Sequence, residues 1–268
     1  MYGRDRQIIG SQWQDGGAEI QNRTFRCCIS KFFLYCLLFF FGLVAIPALA
    51  ADKPPARKLA LDLSLYPYLD RVKNDTDLTV LVNAKLPARF SYFGFMNLRG
   101  VITDGDVVFN RSEQNLRWGL SENLPIDINF QALLIDGGAN DFSQIGFSWR
   151  VSDTGFLKGV FERLNLSYRM NVYLKRFSFA DDDAWQMEHF FRLTFPGISE
   201  RLYLIGFLDQ TFNIDLPAAF PRRPIVSEVQ LGARIFDRFY AVTEYRINEF
   251  RISEKYNLAI GIEYKFRW

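Results

Sequence analysis

The stretch Tyr256–Trp268 (YNLAIGIEYKFRW) decides how the chain is read. Every second residue, Tyr256, Leu258, Ile260, Ile262, Tyr264, Phe266 and Trp268, is apolar or aromatic. The residues between them, Asn257, Ala259, Gly261, Glu263, Lys265 and Arg267, are polar or small. A β-strand sends successive side chains to opposite faces, so this alternation predicts one apolar and one polar face. A strand that crosses a bilayer needs about 9–11 residues and an apolar lipid-facing row with aromatics near both interfaces. The stretch has that length, that row, and aromatics at both ends. The competing reading is an edge strand of a soluble sandwich, although soluble strands usually run to about 5–6 residues.

The totals agree with a membrane barrel without demanding one. Apolar residues make up 49% of the 268, as in ordinary soluble proteins, and a barrel looks the same because only alternate residues meet lipid. A net charge of +2 gives no footing for nucleic-acid binding. The three cysteines, Cys27, Cys28 and Cys36, all precede residue 51, so the rest of the chain can hold neither a disulfide framework nor a cysteine-based metal site. Arg23, Arg26 and Lys31 precede an uncharged run, Phe32–Ile46, followed by Pro47 and Ala48-Leu49-Ala50. A basic region, a short apolar core and a small-residue cleavage site describe a secretory signal peptide. Cleavage is expected after Ala50, which divides the chain into a lead and signal over 1–50 and an exported domain over 51–268. The alternative, a spanning helix, would need about 20 apolar residues.

Past residue 51, short alternating segments recur between turn signals such as Asn74-Asp75, Asp104-Gly105-Asp106, Asp136–Asp141 (DGGAND), Pro196-Gly197 and Leu216–Pro224 (LPAAFPRRP). Ile126, Ile128, Phe130, Ala132 and Leu134 form one row, and Leu164, Leu166, Tyr168, Met170, Val172 and Leu174 another. Asp153–Gly159 reads as a turn. Twelve segments are read in all, an even number, as in bacterial outer-membrane barrels. An open sheet in lipid would leave its edge amides and carbonyls unpaired at several kcal/mol each, so closure is expected. The fold class is therefore all-β: a transmembrane, antiparallel, up-and-down barrel of about twelve strands, expected to be monomeric.

On the polar side of these strands lie Arg117, Arg150, Arg169, Lys175, Glu188, Arg192, Glu228, Arg234, Glu244, Arg246, Glu263 and Lys265. Charges on a lipid-facing wall are costly, so these residues are expected to line the lumen. Phe93, Phe95, Tyr173, Tyr203, Phe207 and Tyr240 fall on the same side. Such rings either fill a narrow barrel by packing or offer stacking surfaces to a ring-bearing solute, a contact that contributes about 1–3 kcal/mol per nucleobase. Both readings stay open at this point.

Leu166–Lys175 (LSYRMNVYLK), the acidic loop and Trp185 after it, the strand ending in Phe195-Pro196, and Leu202–Asn213 (LYLIGFLDQTFN) together resemble the nucleoside-specific, Tsx-type channels of Gram-negative outer membranes. Phe90–Phe95 (FSYFGF) resembles the early strands of that family. The similarity spans about half of the exported chain. It implies a twelve-stranded monomeric barrel with a narrow, aromatic-lined pore for nucleosides. The chain looks shorter than that pattern, with shorter loops and fewer aromatics.

Some small barrels are enzymes, most of them using histidine because imidazole transfers protons near neutral pH. The chain has one histidine, His189, which falls on the lipid-side row with Trp185, Met187 and Phe191. No serine stands at 187 or 191 to pair with it. No enzymatic activity, cofactor or metal site is expected. The acidic loop Ala180–Ala184 (ADDDA) reads as a solvated loop or a bridge to lipopolysaccharide through metal ions. Expected partners are outer-membrane lipids and lipopolysaccharide, a small solute such as a nucleoside, and the barrel-assembly machinery through Phe266-Arg267-Trp268. The expected function is passive diffusion of small hydrophilic solutes. The alternative is a lipid-modifying enzyme or a plugged structural barrel.

Overall fold

The computed structural model describes residues 60–70, 76, 78–100, 108–136, 141–177 and 183–267, all within one unit of the chain. The expected signal peptide and cleavage site, the three cysteines, most of the acidic loop and Trp268 lie outside these residues. Twelve strands follow one another: β1 (Ala60–Asp70), β2 (Leu78–Lys85), β3 (Phe90–Arg99), β4 (Val108–Gly119), β5 (Ile126–Ile135), β6 (Phe142–Trp149), β7 (Leu166–Phe177), β8 (Trp185–Phe195), β9 (Ser199–Phe212), β10 (Ile225–Phe236), β11 (Phe239–Asn248) and β12 (Tyr256–Arg267). Each pairs antiparallel with its neighbour in sequence. β12 then pairs with β1, with Phe266 opposite Leu63 and Ile260 opposite Leu69, and the barrel closes. Closure satisfies every edge from within the wall.

The two faces of the wall differ as the alternation requires. Outside, Phe147 is 47% exposed, Leu231 43%, Ile260 59% and Leu174 60%. Inside, the polar partners of the same strands are buried: Glu113, Asn115, Asn129, Gln131, Gln144, Asn171, Glu188, Asp209 and Glu263. The core of this protein is thus polar, and its apolar surface faces outward. Water would be a poor solvent for so continuous an apolar wall, and a bilayer supplies the missing burial. Burying the polar groups inside is tolerable only where they bond to one another.

The wall departs from the sequence reading in three places. The stretch read as a turn over Asp153–Gly159 is a short 3-10 turn, Val151–Asp153, followed by an α-helix, α1 (Gly155–Leu164). Gly155 and Gly159 suggested punctuation, but Phe156, Leu157, Val160, Phe161 and Leu164 share one side of a helix at the spacing of its turns. α1 ends at Asn165, whose φ of 51° is a left-handed cap. The second departure is in β7. Gly146 pairs with Tyr173 while Ile145 pairs with Lys175, so one extra residue bulges out of β7. Third, the outer face of β4 before Leu116 is polar, where strict alternation asks for apolar residues. Ser112 and Gln114 stand on that face and bond to each other (Gln114 Nε2 to Ser112 Oγ, 2.6 Å), and the Tyr92 hydroxyl bonds to Gln114.

Candidate functional site in the barrel lumen

Residues directly opposite in an antiparallel pair share a face, so the register fixes which side chains enter the lumen. Asn129 opposite Gly146, Asn171 opposite Glu188, and Tyr240 opposite Glu263 are such pairs. Of the residues expected inside, Phe93, Phe95, Arg117, Arg169, Tyr173, Glu188, Arg192, Tyr203, Phe207, Glu228, Arg234, Tyr240, Glu244, Arg246, Glu263 and Lys265 lie on the inner face, and Arg150 follows β6 at the lumen mouth. Lys175 does not. It stands opposite Ile145, an exposed outer-face residue, and is itself exposed, because the bulge shifts the alternation by one. Arg176 enters the lumen in its place and is buried.

Three clusters fill the interior. The first is built around Tyr173, which is fully buried. Its hydroxyl accepts from Asn129 Nδ2 at 2.7 Å and has two acceptors within reach, Asn115 Oδ1 at 2.9 Å and Glu188 Oε2 at 3.2 Å. Asn171 donates to Glu188, Gln131 donates to Asn115 and Glu188 at 3.3 and 3.4 Å, and Gln144 donates to Gln131 and to Gln186. Glu113, Glu188 and Asp209 bring carboxylate oxygens within 4.8 Å of one another, which is the spacing of a divalent-cation site. Arg111 supplies countercharge there, 3.3 Å from Glu113 and 3.9 Å from Asp209. β4 and β9, which carry Arg111 and Asp209, are five strands apart around the wall, so this contact crosses the lumen.

The second cluster is aromatic. Phe93 of β3 meets Phe190 of β8 edge-on at 5.8 Å, again across the lumen, and Phe190 meets Phe207 at 6.0 Å. Phe93 also touches Phe95 at 6.3 Å. Arg117 lies over Phe93 and Arg111 over Phe95, each at 5.6 Å. These rings therefore pack on one another and under guanidinium groups.

In the third cluster, Tyr203 lies over Gly232, where an added Cβ would stand 2.1 Å from the ring. Its hydroxyl bonds to Glu263 and accepts from Gln230 Nε2 at 2.6 Å. Lys265 pairs with Glu263 at 3.1 Å and sits over the rings of Tyr203 and Tyr240, at 4.5 and 4.3 Å. Arg192 covers Tyr203 at 5.1 Å. Glu244 and Arg246 form a buried pair towards the other end of the barrel, where Arg246 also donates to the Thr76 carbonyl at 3.1 Å.

The charges are not evenly spread. Arg117, Arg150, Arg169, Arg192, Arg234 and Lys265 lie in the half of the lumen nearer the short turns, together with the acids Asp127 and Glu263. Arg150 bonds to Asp127, to Asp153 at 3.1 Å and to the Leu124 carbonyl at 2.9 Å. Arg111 and Arg117 each bury an Nε that has no acceptor among the described residues. Glu113, Arg111, Asp127, Arg176, Phe190 and Asp209 escaped the sequence reading. Arg111 and Glu113 stand in a β4 segment that is polar on both faces, and Asp209 follows a β9 segment that is apolar on both, so alternation gave no signal in either. His189 is on the outer face, opposite Met170 and Leu208, and its Nδ1 is 2.6 Å from the Tyr168 hydroxyl.

No family model and no curated protein matches the chain. Among solved structures, a KdgM porin is 12% identical over 77% of this chain and 99% of that one, with a TM-score of 0.45. A NanC porin is 9% identical over 77% and 100%, with a TM-score of 0.47. Pseudomonas aeruginosa OccK5 (OpdH) is 11% identical over 79% and 63%, with a TM-score of 0.37. A second KdgM porin structure is described as a complex with disordered oligogalacturonate.

Proposed function

We propose that the protein is an outer-membrane channel through which small hydrophilic solutes diffuse passively, after export directed by the N-terminal signal. One observation carries this reading: a closed wall that is apolar outside and lined inside with charged and amide side chains. The contacts that bridge the lumen between Arg111 and Asp209 and between Phe93 and Phe190 are between side chains, so the passage opens by side-chain movement without breaking the backbone ladder of the wall. The solute that suits the lining is small, uncharged or anionic, and able both to donate and to accept hydrogen bonds. The cationic half of the lumen favours anions over cations, while the Nε groups of Arg111 and Arg117 and the oxygens of Asn129, Gln144, Asn171 and Asp209, which have no partner among the described residues, offer both donors and acceptors. A nucleoside meets this description through its carbonyls and hydroxyls, and would add ring contact at Tyr203 and Tyr240 once Lys265 moves aside. No chemical step is proposed: His189 is held on the outer face, away from the lumen groups. Outer-membrane lipids, lipopolysaccharide and the assembly machinery at the C-terminal strand are the partners this reading requires.

The same cross-lumen bonds favour a second reading, a barrel closed by its own side chains. Planar-bilayer recording separates the two. Discrete openings with an anion-selective reversal potential, and current noise induced by uridine or by galacturonate, are the expected result. A protein that inserts folded and never conducts sides with the closed barrel and removes the channel reading.

A further inference from the structure

Between β6 and β7, α1 presents an apolar stripe that the barrel does not cover. Phe156, Val160 and Leu164 stand four residues apart on one face and are 81%, 53% and 55% exposed. The adjoining edge of the apolar face is used: Phe161 stacks on Tyr168, with ring centroids 6.2 Å apart and planes 2° from parallel. Lys158 and Glu162, paired at 3.9 Å, occupy the opposite side, and Arg163, seven residues after Phe156 and three after Val160, flanks the stripe.

The place of the helix identifies what covers the stripe. Tyr168 is on the outer face of the wall, opposite Phe191, and so is Trp149, whose Nε1 donates to Thr154 Oγ1 at 2.8 Å just before the helix begins. Ser152 Oγ accepts from the Tyr168 N–H at 3.3 Å, and the Asn165 carbonyl accepts from the Thr194 N–H at 3.1 Å. The helix is therefore tied by both ends to the outer, apolar side of the barrel rim. It lies at the end that carries the short turns 86–89, 196–198 and 237–238, which face the periplasm in barrels of this kind. Its exposed stripe continues the surface of the wall, and a helix with an apolar face beside a charged one suits the boundary between headgroups and acyl chains.

We propose that α1 is an interfacial helix that docks on the phospholipids of the periplasmic leaflet, with Phe156, Val160 and Leu164 among the acyl chains and Lys158 and Arg163 at the phosphates. The proposal rests on the barrel being embedded in lipid, and the test separates the two. Full-length protein with Cys27, Cys28 and Cys36 replaced by serine receives one cysteine at a time: Val160→Cys, Phe156→Cys, Glu162→Cys, or Ile260→Cys on the outer wall. Each is labelled with an environment-sensitive dye and reconstituted into phosphatidylethanolamine–phosphatidylglycerol vesicles carrying acyl-chain nitroxides. Quenching at 160 and 156 is expected to exceed that at 162 by about threefold and to approach that at 260. If 260 is quenched while 156 and 160 match 162, the helix proposal fails and the barrel reading stands. If 156 and 160 are shielded from aqueous iodide yet unquenched by the lipid, a protein partner or a second copy covers the stripe, and the proposal is again overturned. If 260 is not quenched, the lipid-embedded barrel itself is refuted. Two labelled positions on the stripe guard against a local folding defect in either variant.

Discussion

Tyr173→Phe removes one oxygen atom and keeps the buried ring. Apolar burial and packing are unchanged, so the effect isolates the hydroxyl. Asn129 Nδ2 loses its acceptor at 2.7 Å, and Asn115 Oδ1 and Glu188 lose a donor that served one of them at a time. Asn115 and Glu188 keep other donors, in Gln131 and Asn171, so one group is orphaned outright and one bond is lost beyond it. An orphaned buried donor costs about 1–3 kcal/mol and a lost bond about 1 kcal/mol, which gives a loss of about 2–4 kcal/mol. Urea unfolding in lipid vesicles, followed by the gel-mobility difference between folded and unfolded barrel, reads this as a lower midpoint with an unchanged slope. Tyr245→Phe, on the outer face opposite Leu258, removes a hydroxyl that bonds none of these groups and is the control, which should move the midpoint far less. In bilayers the same Tyr173→Phe variant should open more often, because Tyr173 ties β5 and β4 to β7 across part of the lumen. A midpoint within about 0.5 kcal/mol of the parent, together with unaltered gating, would refute the idea that this cluster both holds the barrel together and obstructs it.

Gly232→Ala should displace the Tyr203 ring, which Gln230 and Glu263 hold over the glycine, and should destabilise the barrel by about 1–3 kcal/mol in the same unfolding assay. Asn165→Val places a β-branched residue at a left-handed cap and should cost about 1–2 kcal/mol, seen as faster amide exchange over Gly155–Leu164 with the strands unaffected; Asn165→Gly should be nearly neutral.

Most of the wall was legible because alternate residues meet two different solvents. In β12, where the apolar row from Tyr256 to Phe266 faces outward and Asn257, Ala259 and Glu263 are buried inside, the pattern and the structure coincide. Lys175 marks the limit of that logic. A bulge adds one residue without any local signature, and every inference of face beyond it inverts. The outward polar group of Ser112, Gln114 and Tyr92 shows another limit, since hydrogen bonds among neighbours let polar residues stand where alternation asks for apolar ones. α1 was hidden because helical periodicity in a ten-residue segment with two glycines competes poorly with turn chemistry. The lumen clusters could not be read at all, because Arg111 and Asp209, or Phe93 and Phe190, meet only once the barrel closes.

In a soluble domain the residues that hold the fold together and those that meet the ligand are mostly different. On the proposed channel reading the polar filling here serves both ends, because the outer face rests on lipid and only the inner face joins distant strands to one another. Adaptation of such a barrel is constrained accordingly. A substitution that widens the passage for a new solute also removes a tie between opposite walls, so broader permeability and tolerance of heat or detergent should evolve in opposite directions. Lineages that enlarge the passage should show compensating changes at strand-pairing positions instead of inside the lumen.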